Sequence, residues 1–122
     1  MAERISEAEH AVLEVLWLDS PLTAQDVAER THAERGWSIQ TVKTLLSRLI
    51  VKDAIAYEVD GRRFLYKPII ERGTHAAGEL RRLLDRLFEG RPAPLVAHLA
   101  ERGELTPEDI AEIEALLKAL KS

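Results

Sequence analysis

The sequence predicts a mostly α-helical fold that contains one small β-hairpin and ends in a helical arm. Apolar residues recur at helical spacing through residues 5–51 and again beyond residue 71. Between these regions the spacing changes to strict alternation on both sides of an Asp-Gly pair, which is typical of a hairpin. The 122 residues, of which 46% are hydrophobic, suffice for one compact domain with an appendage.

The first two helices are predicted from their capping residues. Residues 6–9, Ser-Glu-Ala-Glu, form a capping box, in which the serine and the last glutamate exchange hydrogen bonds with each other's backbone. Pro21 marks the end of this helix. Thr23, with Asp26 three residues later, opens the second helix, and Gly36 marks its end.

The third helix is predicted to have two different faces, with Ser38 as its N-cap. Its apolar stripe consists of Val42, Leu45, Leu46, Leu49 and Ile50. The other positions are polar or cationic and include no carboxylate: Gln40, Thr41, Lys43, Thr44, Ser47 and Arg48. A face that is merely solvated usually mixes Glu with Lys one turn apart. The composition therefore favours a binding surface over the solvated face of a generic α+β domain, which remains the alternative.

A two-stranded hairpin follows the three helices. Alternating apolar residues lead into Asp60-Gly61, where both turn positions favour positive φ, and alternate again up to Pro68. Three helices followed by a hairpin is the chain order of a winged helix-turn-helix domain. In that domain the second and third helices form the turn motif and the hairpin forms the wing. Arg62 and Arg63 lie at or just beyond the tip of the predicted wing.

The charge distribution places a basic region between two acidic flanks, although the net charge of the chain is −4. Residues 1–34 carry a net charge of −6, residues 35–72 carry +4, and residues 73–122 carry −2. A basic region of this kind can face phosphates while the rest of the molecule remains acidic. The region coincides with the predicted third helix and wing.

The exposed face of the third helix suits the reading of duplex DNA. We expect contacts with base edges on the groove floor from Gln40, Thr41, Lys43 and Thr44. Ser47 lies on the same face, and Arg48 is expected to hold a phosphate. An ion pair between Arg48 and an acid of the first helix is the alternative for that residue.

Four further residues are candidates for backbone contacts with DNA. Ser38 and Thr23 begin helices, whose N-termini can meet phosphates. A plain capping role is the alternative for both residues. Arg62 and Arg63 can follow the DNA backbone or enter the minor groove from the wing. Their alternative role is to keep a hairpin tip soluble.

The apolar residues of the helical arm predict a homodimer interface. The final helix begins at Thr106-Pro107 and carries a near-heptad seam. Residues 73–122 cannot easily bury their apolar stripes within one chain, whereas two copies can bury them against each other. The predicted interface residues are Leu80, Leu84, Leu87, Leu95, Leu99, Ile110, Ile113, Leu116, Leu117 and Leu120.

The sequence favours no enzymatic, cofactor or metal function. Cys is absent, so disulfides, thiolate metal sites and cysteine nucleophiles are excluded. The four His residues share no metal-ligand spacing and are expected to be solvated or packed. No secretory h-region and no apolar run of about 20 residues is present, so we expect a cytoplasmic protein without a membrane partner.

Essentially the whole chain resembles the penicillinase-repressor (BlaI/MecI/CopY-type) family of transcriptional regulators. The resemblance is carried by the segments "ISEAEHAVLEVLW", "LTAQDVAE", "WSIQTVKTLLSRLIVKDAI", "YEVDGRRFLYKP", "LLDRLFEGRPAPLVAHLAE" and "LTPEDIAEIEALLKAL". The most specific motif is matched at Trp37, Ser38, Thr41, Val42, Thr44, Leu45, Leu46, Arg48 and Leu49. The resemblance implies a dimeric repressor whose N-terminal winged helix binds a palindromic operator and whose C-terminal helices hold the dimer.

This chain departs from the family pattern at three points. Members commonly have Pro-Lys where this chain has Ile39-Gln40, so a cation is lost and the operator can differ. Members cleaved by a sensor protease carry Asn-Phe where this chain has His98-Leu99. The resemblance therefore does not decide whether a sensor protease is a partner of this chain. The copper-responsive branch ends in a Cys-rich tail, which the absence of Cys excludes here.

The sequence therefore predicts a winged helix DNA-binding domain at residues 1–71 and a helical dimerisation domain at residues 72–122. The predicted function is a homodimeric, sequence-specific repressor that binds double-stranded DNA at a palindromic operator. The alternative is a winged helix that binds another protein and has no sequence-specific affinity for DNA. A steep fall of duplex affinity with salt distinguishes the first function from the second.

Overall fold

The computed structural model describes residues 4–121, which form six helices and one two-stranded antiparallel sheet. In chain order these elements are α1 (Glu7–Leu18), α2 (Ala24–Arg35), α3 (Ile39–Val51), β1 (Ile55–Asp60), β2 (Arg63–Pro68), α4 (Arg72–Leu87), α5 (Pro92–Glu101) and α6 (Pro107–Lys121). The chain divides into two compact units, of which the first ends at His75 and the second begins at Ala76. The predicted boundary after Glu71 separates a DNA-binding domain from a dimerisation domain. This functional division stays a prediction.

The predicted capping box of α1 and the predicted start of α2 at Thr23 are confirmed, and Thr23 also forms a capping box. At α1 the Glu9 amide donates to the Ser6 hydroxyl at 3.1 Å, and the Ser6 amide donates to the Glu9 carboxylate at 2.7 Å. At α2 the same two bonds join Thr23 and Asp26, each at 3.1 Å. Gly36 ends α2 in the left-handed conformation at φ 65°.

The core of the first unit is built around the apolar stripe of α3. The stripe packs on α1 and α2, and its centre is fully buried together with residues of both helices: Val12, Leu13, Leu16, Val27, Val42, Leu46 and Leu49. Ile50, at the edge of the predicted stripe, is half-buried. Complete burial of one Leu side chain stabilises a fold by roughly 1.5–3 kcal/mol. The packing of these side chains therefore fixes the position of α3 within this unit.

The wing is a hairpin in which Tyr57 pairs with Tyr66 and the last pair is Asp60 with Arg63. The turn residues are consequently Gly61 and Arg62, one position later than the sequence predicts. The predicted positive φ at both Asp60 and Gly61 is also wrong, since only Gly61 adopts one, at 65°. Glycine takes this conformation without a Cβ clash, while Asp60 remains extended and accepts hydrogen bonds from the Arg63 guanidinium.

The connection between α1 and α2 anchors the wing. Leu22 forms an isolated bridge with Tyr66, in which each amide donates to the other residue's carbonyl at 3.0 and 2.7 Å. Leu22 is buried, and Tyr66 is 9% exposed. Burial, followed by the charge of Tyr57, raises the pKa of the Tyr66 hydroxyl. The base of the wing is thus part of the core.

A buried ion pair joins the start of α1 to the end of α3. Glu9 is 1% exposed, and its Oε1 accepts from Lys52 Nζ at 2.6 Å. Lys52 also donates to the Arg4 carbonyl at 2.8 Å, whereas Glu9 Oε2 is buried without a hydrogen-bond partner among the described residues. Burial raises the pKa of the Glu9 carboxyl, but the hydrogen bonds and charge of Lys52 and the bonds of Ser6 outweigh burial and lower it.

The second unit consists of α5, α6 and the part of α4 that begins at Ala76. The α4–α5 turn contains Gly90 at φ 76°, whose carbonyl accepts from the Arg81 guanidinium at 2.7 Å. Helix α6 begins at Pro107 as predicted, with a reciprocal cap between Thr106 and Asp109 at 3.0 and 3.1 Å. Across residues 4–121, every helix lacks either the length or the apolar character required for a membrane span.

We predict that Lys52→Met lowers the free energy of unfolding by a few kcal/mol. Removal of one partner from a buried pair costs roughly 3–5 kcal/mol, and a value near the lower end is expected because Lys52 is 15% exposed. The matched control is Lys67→Met, since the Lys67–Glu58 pair is 52% and 69% exposed. That variant should lose less than about 1 kcal/mol. Urea titrations of both variants measure the difference.

The same pair gives the stability a defined pH dependence. The folded-state pKa of Glu9 lies below its usual value of 4.5, so its contribution is present above pH 4.5 and is lost as the pH falls through the folded pKa. In Lys52→Met, the hydrogen bond and charge of Lys52 no longer lower that pKa, so the pKa should rise and the contribution above pH 4.5 should shrink. Parallel stability curves for wild type and variant would show that Lys52 does not set the ionisation of Glu9.

Candidate nucleic-acid interface

The face of α3 opposite its buried stripe is fully exposed and carries no acid. All six polar residues of the predicted face are exposed: Gln40, Thr41, Lys43, Thr44, Ser47 and Arg48. Two hydroxyls have structural roles, since Thr44 donates to the Gln40 carbonyl at 3.0 Å and Ser38 accepts from the Thr41 amide at 3.2 Å. Ser38 is therefore the N-cap of α3, as predicted, and its contact with a phosphate stays a prediction. The amide of Gln40, the amine of Lys43 and the guanidinium of Arg48 extend from the outer face of α3.

Three of the predicted DNA-contacting cations have no partner within residues 4–121. Lys43, Arg48 and Arg62 form no hydrogen bond or ion pair there, so Arg48 does not pair with an acid of α1. Arg63 differs, because its Nε and Nη2 donate to the Asp60 carboxylate at 3.2 and 2.9 Å. A cation that is not already neutralised by a neighbouring carboxylate attracts phosphate more strongly. Arg62 is thus better placed than Arg63 to interact with an anion.

A groove of about 740 Å³ lies between the N-terminus of α2, one side of α3 and the wing. It brings together half of the residues predicted to contact DNA: Thr23, Lys43, Ser47, Arg62 and Arg63. Gln40, Thr41, Thr44 and Arg48 do not line this groove and lie instead on the outer face of α3. Helix, wing and α2 terminus therefore form one continuous surface of the first unit.

Two acids on α2 also line this groove. Hydrogen bonds from the Thr23 amide and hydroxyl lower the pKa of Asp26. The Asp26 carboxylate is therefore charged at neutral pH, but it is engaged in the hydrogen bonds that cap α2. Glu29 is exposed and lies one turn further along α2. Carboxylates repel phosphates, so we expect the DNA backbone to follow Lys43 and the wing arginines rather than this part of α2.

Three residues of this surface were not predicted from the sequence. Gln25, in the first turn of α2, and Ile39, the first residue of α3, line both this groove and a second one of about 590 Å³ between α2 and α3. Phe64 of the wing is 47% exposed and lines the first groove. The position of Gln25 two residues after the Thr23 cap was a signal for it. Ile39 had a signal in its departure from the common Pro-Lys pattern, whereas Phe64 had none, because apolar residues are assigned to the core by default.

The His residues are partly brought together, contrary to their separation in the sequence. His10 and His75 stack at 5.3 Å, and Trp17 lies 5.8 Å from each ring. Trp17 Nε1 donates to the Ile70 carbonyl at 2.9 Å, which ties the segment before α4 to α1. Residues 4–121 contain no cluster of three or more His, Cys, Asp or Glu suited to a metal ion.

The second unit exposes most of the residues predicted to form a dimer interface. Leu80, Leu87, Ile110, Leu116, Leu117 and Leu120 are between 44% and 82% exposed. Leu95, Leu99 and Ile113 are half-buried. Leu84 is only 6% exposed, so it can contribute little further area to an interface.

The fold and the exposed surface together define a winged-helix DNA-binding protein. A three-helix core presents α3 with an acid-free outer face, and the wing adds cations beside it. The family described as penicillinase repressor matches residues 5–119, and the chain belongs to this family. The winged helix and the family that the sequence predicts are thereby confirmed.

Three similar proteins support this assignment. The penicillinase repressor of Bacillus licheniformis is 30% identical over 119 residues, which cover 98% of this chain and 93% of the relative. The solution structure of the DNA-binding domain of the repressor BlaI is 35% identical, with a TM-score of 0.54 over 59% of this chain and 88% of that one. The Bacillus licheniformis BlaI monomeric form in complex with the blaP half-operator is 34% identical, with a TM-score of 0.52 over 60% of this chain and 89% of that one.

The adjacent wing arginines provide a matched test of this surface. We predict that Arg62→Ala lowers the slope of log affinity against log salt by about one unit, because one phosphate contact is lost. Arg63→Ala should lower it less, because Arg63 is already paired with Asp60. Duplex titrations at several salt concentrations measure both slopes. Equal slopes for the two variants would show that the Asp60–Arg63 pair opens on DNA.

Proposed function

We propose that this chain is a homodimeric transcriptional repressor that binds a near-palindromic operator through α3 and the wing. The observation that supports this most is the acid-free face of α3 with Lys43 and Arg48 unpaired in residues 4–121. The recognition helix of a helix-turn-helix domain enters the major groove, where Gln and Lys can bond to base edges. Arg62 of the wing supplies a phosphate or minor-groove contact.

The similarity to BlaI supports the choice of duplex DNA as the partner. The BlaI structure in complex with a half-operator shares the fold of the first unit at 34% identity. By analogy, one protomer of this chain engages one half-site. In this assignment Gln40, Thr41, Lys43 and Thr44 contact base edges, while Ser38, Ser47 and Arg48 contact the backbone. Thr23 contributes the N-terminus of α2.

The homodimer is supported by the exposed apolar residues of α4, α5 and α6. Leu120 is 82% exposed and Leu116 is 65% exposed, although both belong to one apolar seam. Large contiguous apolar surfaces are uncommon on monomers and usually mark interfaces. Two copies related by a two-fold axis would bury them against each other, and the same symmetry would require a palindromic operator.

The dimer also explains how repression can be switched. One recognition helix makes few contacts, so a single protomer binds weakly. Linkage of two half-sites makes the second contact intramolecular, which can raise avidity by about 100-fold or more without any new contact. Any event that separates the two arms therefore removes the protein from its operator.

A test of base reading is Lys43→Ala, with Lys118→Ala in α6 as the control for the loss of one charge. We expect Lys43→Ala to weaken the preferred operator by about 1–3 kcal/mol and to relax its sequence preference. If Lys43 contacts only a phosphate, all duplexes weaken alike and the salt slope falls by about one unit. Competition titrations against unrelated duplex separate these results. Unchanged affinity for every duplex would remove Lys43 from the interface.

A test of the dimer is Leu116→Asp, with Ala115→Asp as the matched control. Ala115 is exposed on the same helix and lies nearly opposite the apolar seam at about 100° per residue. We expect Leu116→Asp to be a folded monomer with operator affinity reduced by about 100-fold or more, and Ala115→Asp to remain dimeric. Sedimentation gives the oligomeric state, and operator titration gives the affinity. A monomer that binds with wild-type affinity would contradict the proposed coupling.

A further inference from the structure

We infer that Ile39 reads a thymine in each operator half-site through the C5-methyl group of the base. This inference rests on the proposed function, since it assumes that α3 enters the major groove. It concerns a contact that is apolar, whereas the contacts assigned above are polar or ionic. It begins from the position of one exposed aliphatic side chain.

Ile39 is the first residue of α3 and is 40% exposed. It precedes Gln40 directly and lies one helical turn before Lys43. It lines both grooves that flank this part of α3, the one shared with the wing and the one shared with α2. Its side chain is therefore an apolar group next to Gln40 and Lys43, the polar residues proposed to meet DNA, and it shares the second groove with Ala28 and Trp37.

The buried core of the first unit does not include Ile39. The buried stripe of α3 is complete without it, since Val42, Leu46 and Leu49 are fully buried. Trp37 and Ile50 are partly buried against this core, whereas Ile39 does not belong to that set. Helix propensity does not explain it either, because a β-branched residue is a weaker helix former than Ala or Leu, and proline is the residue favoured at the first helical position.

The chemistry of the major groove identifies the ligand. Among the base edges exposed there, the thymine C5-methyl is the apolar group, and all others are hydrogen-bond donors or acceptors. The N-terminal residues of a recognition helix are those that meet base edges. Ile39 occupies such a position, and its two branches can enclose a methyl group without loss of side-chain freedom, since χ1 of a β-branched residue is already restricted.

The decisive experiment replaces thymine with deoxyuridine, which removes only the methyl group. The duplex is the operator recovered with the wild-type protein from genomic fragments, substituted at one symmetric pair of thymines at a time. Burial of one methyl corresponds to about fourfold in affinity, so a symmetric pair should lower wild-type affinity by about fifteenfold at one position only. Affinity is measured by titration at fixed salt.

The variant Ile39→Ala should bind the thymine and deoxyuridine duplexes with equal affinity. The matched control is Gln40→Ala, which should bind more weakly but retain the full discrimination against deoxyuridine. Thermal melting confirms that both variants are folded. Discrimination that persists in Ile39→Ala, or a wild-type protein that discriminates at no position, would overturn the inference while leaving the proposed function intact. A wild-type protein without salt-dependent duplex affinity would instead overturn the proposed function.

Discussion

The burial of one face of α3 is the constraint on which the rest of the first unit depends. Val42, Leu46 and Leu49 are removed from water completely, so the rotation of the helix about its axis is fixed. A rotation large enough to present different residues would expose these side chains and cost several kcal/mol. The outer face therefore presents its polar groups in a single orientation, and the Glu9–Lys52 pair holds the C-terminal end of the same helix against α1.

The features that the sequence predicted correctly are local. The capping box at Ser6 and the helix starts at Thr23 and Thr106 involve residues three positions apart, so the sequence itself contains both partners. The partners that were missed are distant along the chain, as Lys52 is from Glu9 and Tyr66 is from Leu22. Neither pair has a periodic signal, because tertiary packing alone brings the residues together. The turn was misplaced by one residue for a different reason, since the pairing of Asp60 with Arg63 is local but is not part of the Asp-Gly turn preference.

The acidic net charge of −4 is compatible with a DNA-facing surface because the charges are arranged unevenly. Many acids of the flanks are already paired within the first unit, as Glu14 is with Arg72 and Asp19 is with Arg30. The region from Gly36 to Lys52 contains no acid at all. The sequence alone showed this segregation, but it could not show that Arg62 lacks a partner in residues 4–121 while Arg63 has one. That distinction depends on side-chain geometry at the hairpin tip.

The bridge between Leu22 and Tyr66 divides the wing into an anchored base and an exposed tip. The two parts should differ in how well they tolerate substitution. The bridge lies near the base of the hairpin, where Tyr66 is 9% exposed, whereas Val59 and Phe64 nearer the tip are 66% and 47% exposed. Residues 59–63 belong neither to the buried core nor to the residues packed against it, so substitutions there should disturb the core little. The tip can therefore diversify at little thermodynamic cost while the scaffold stays the same.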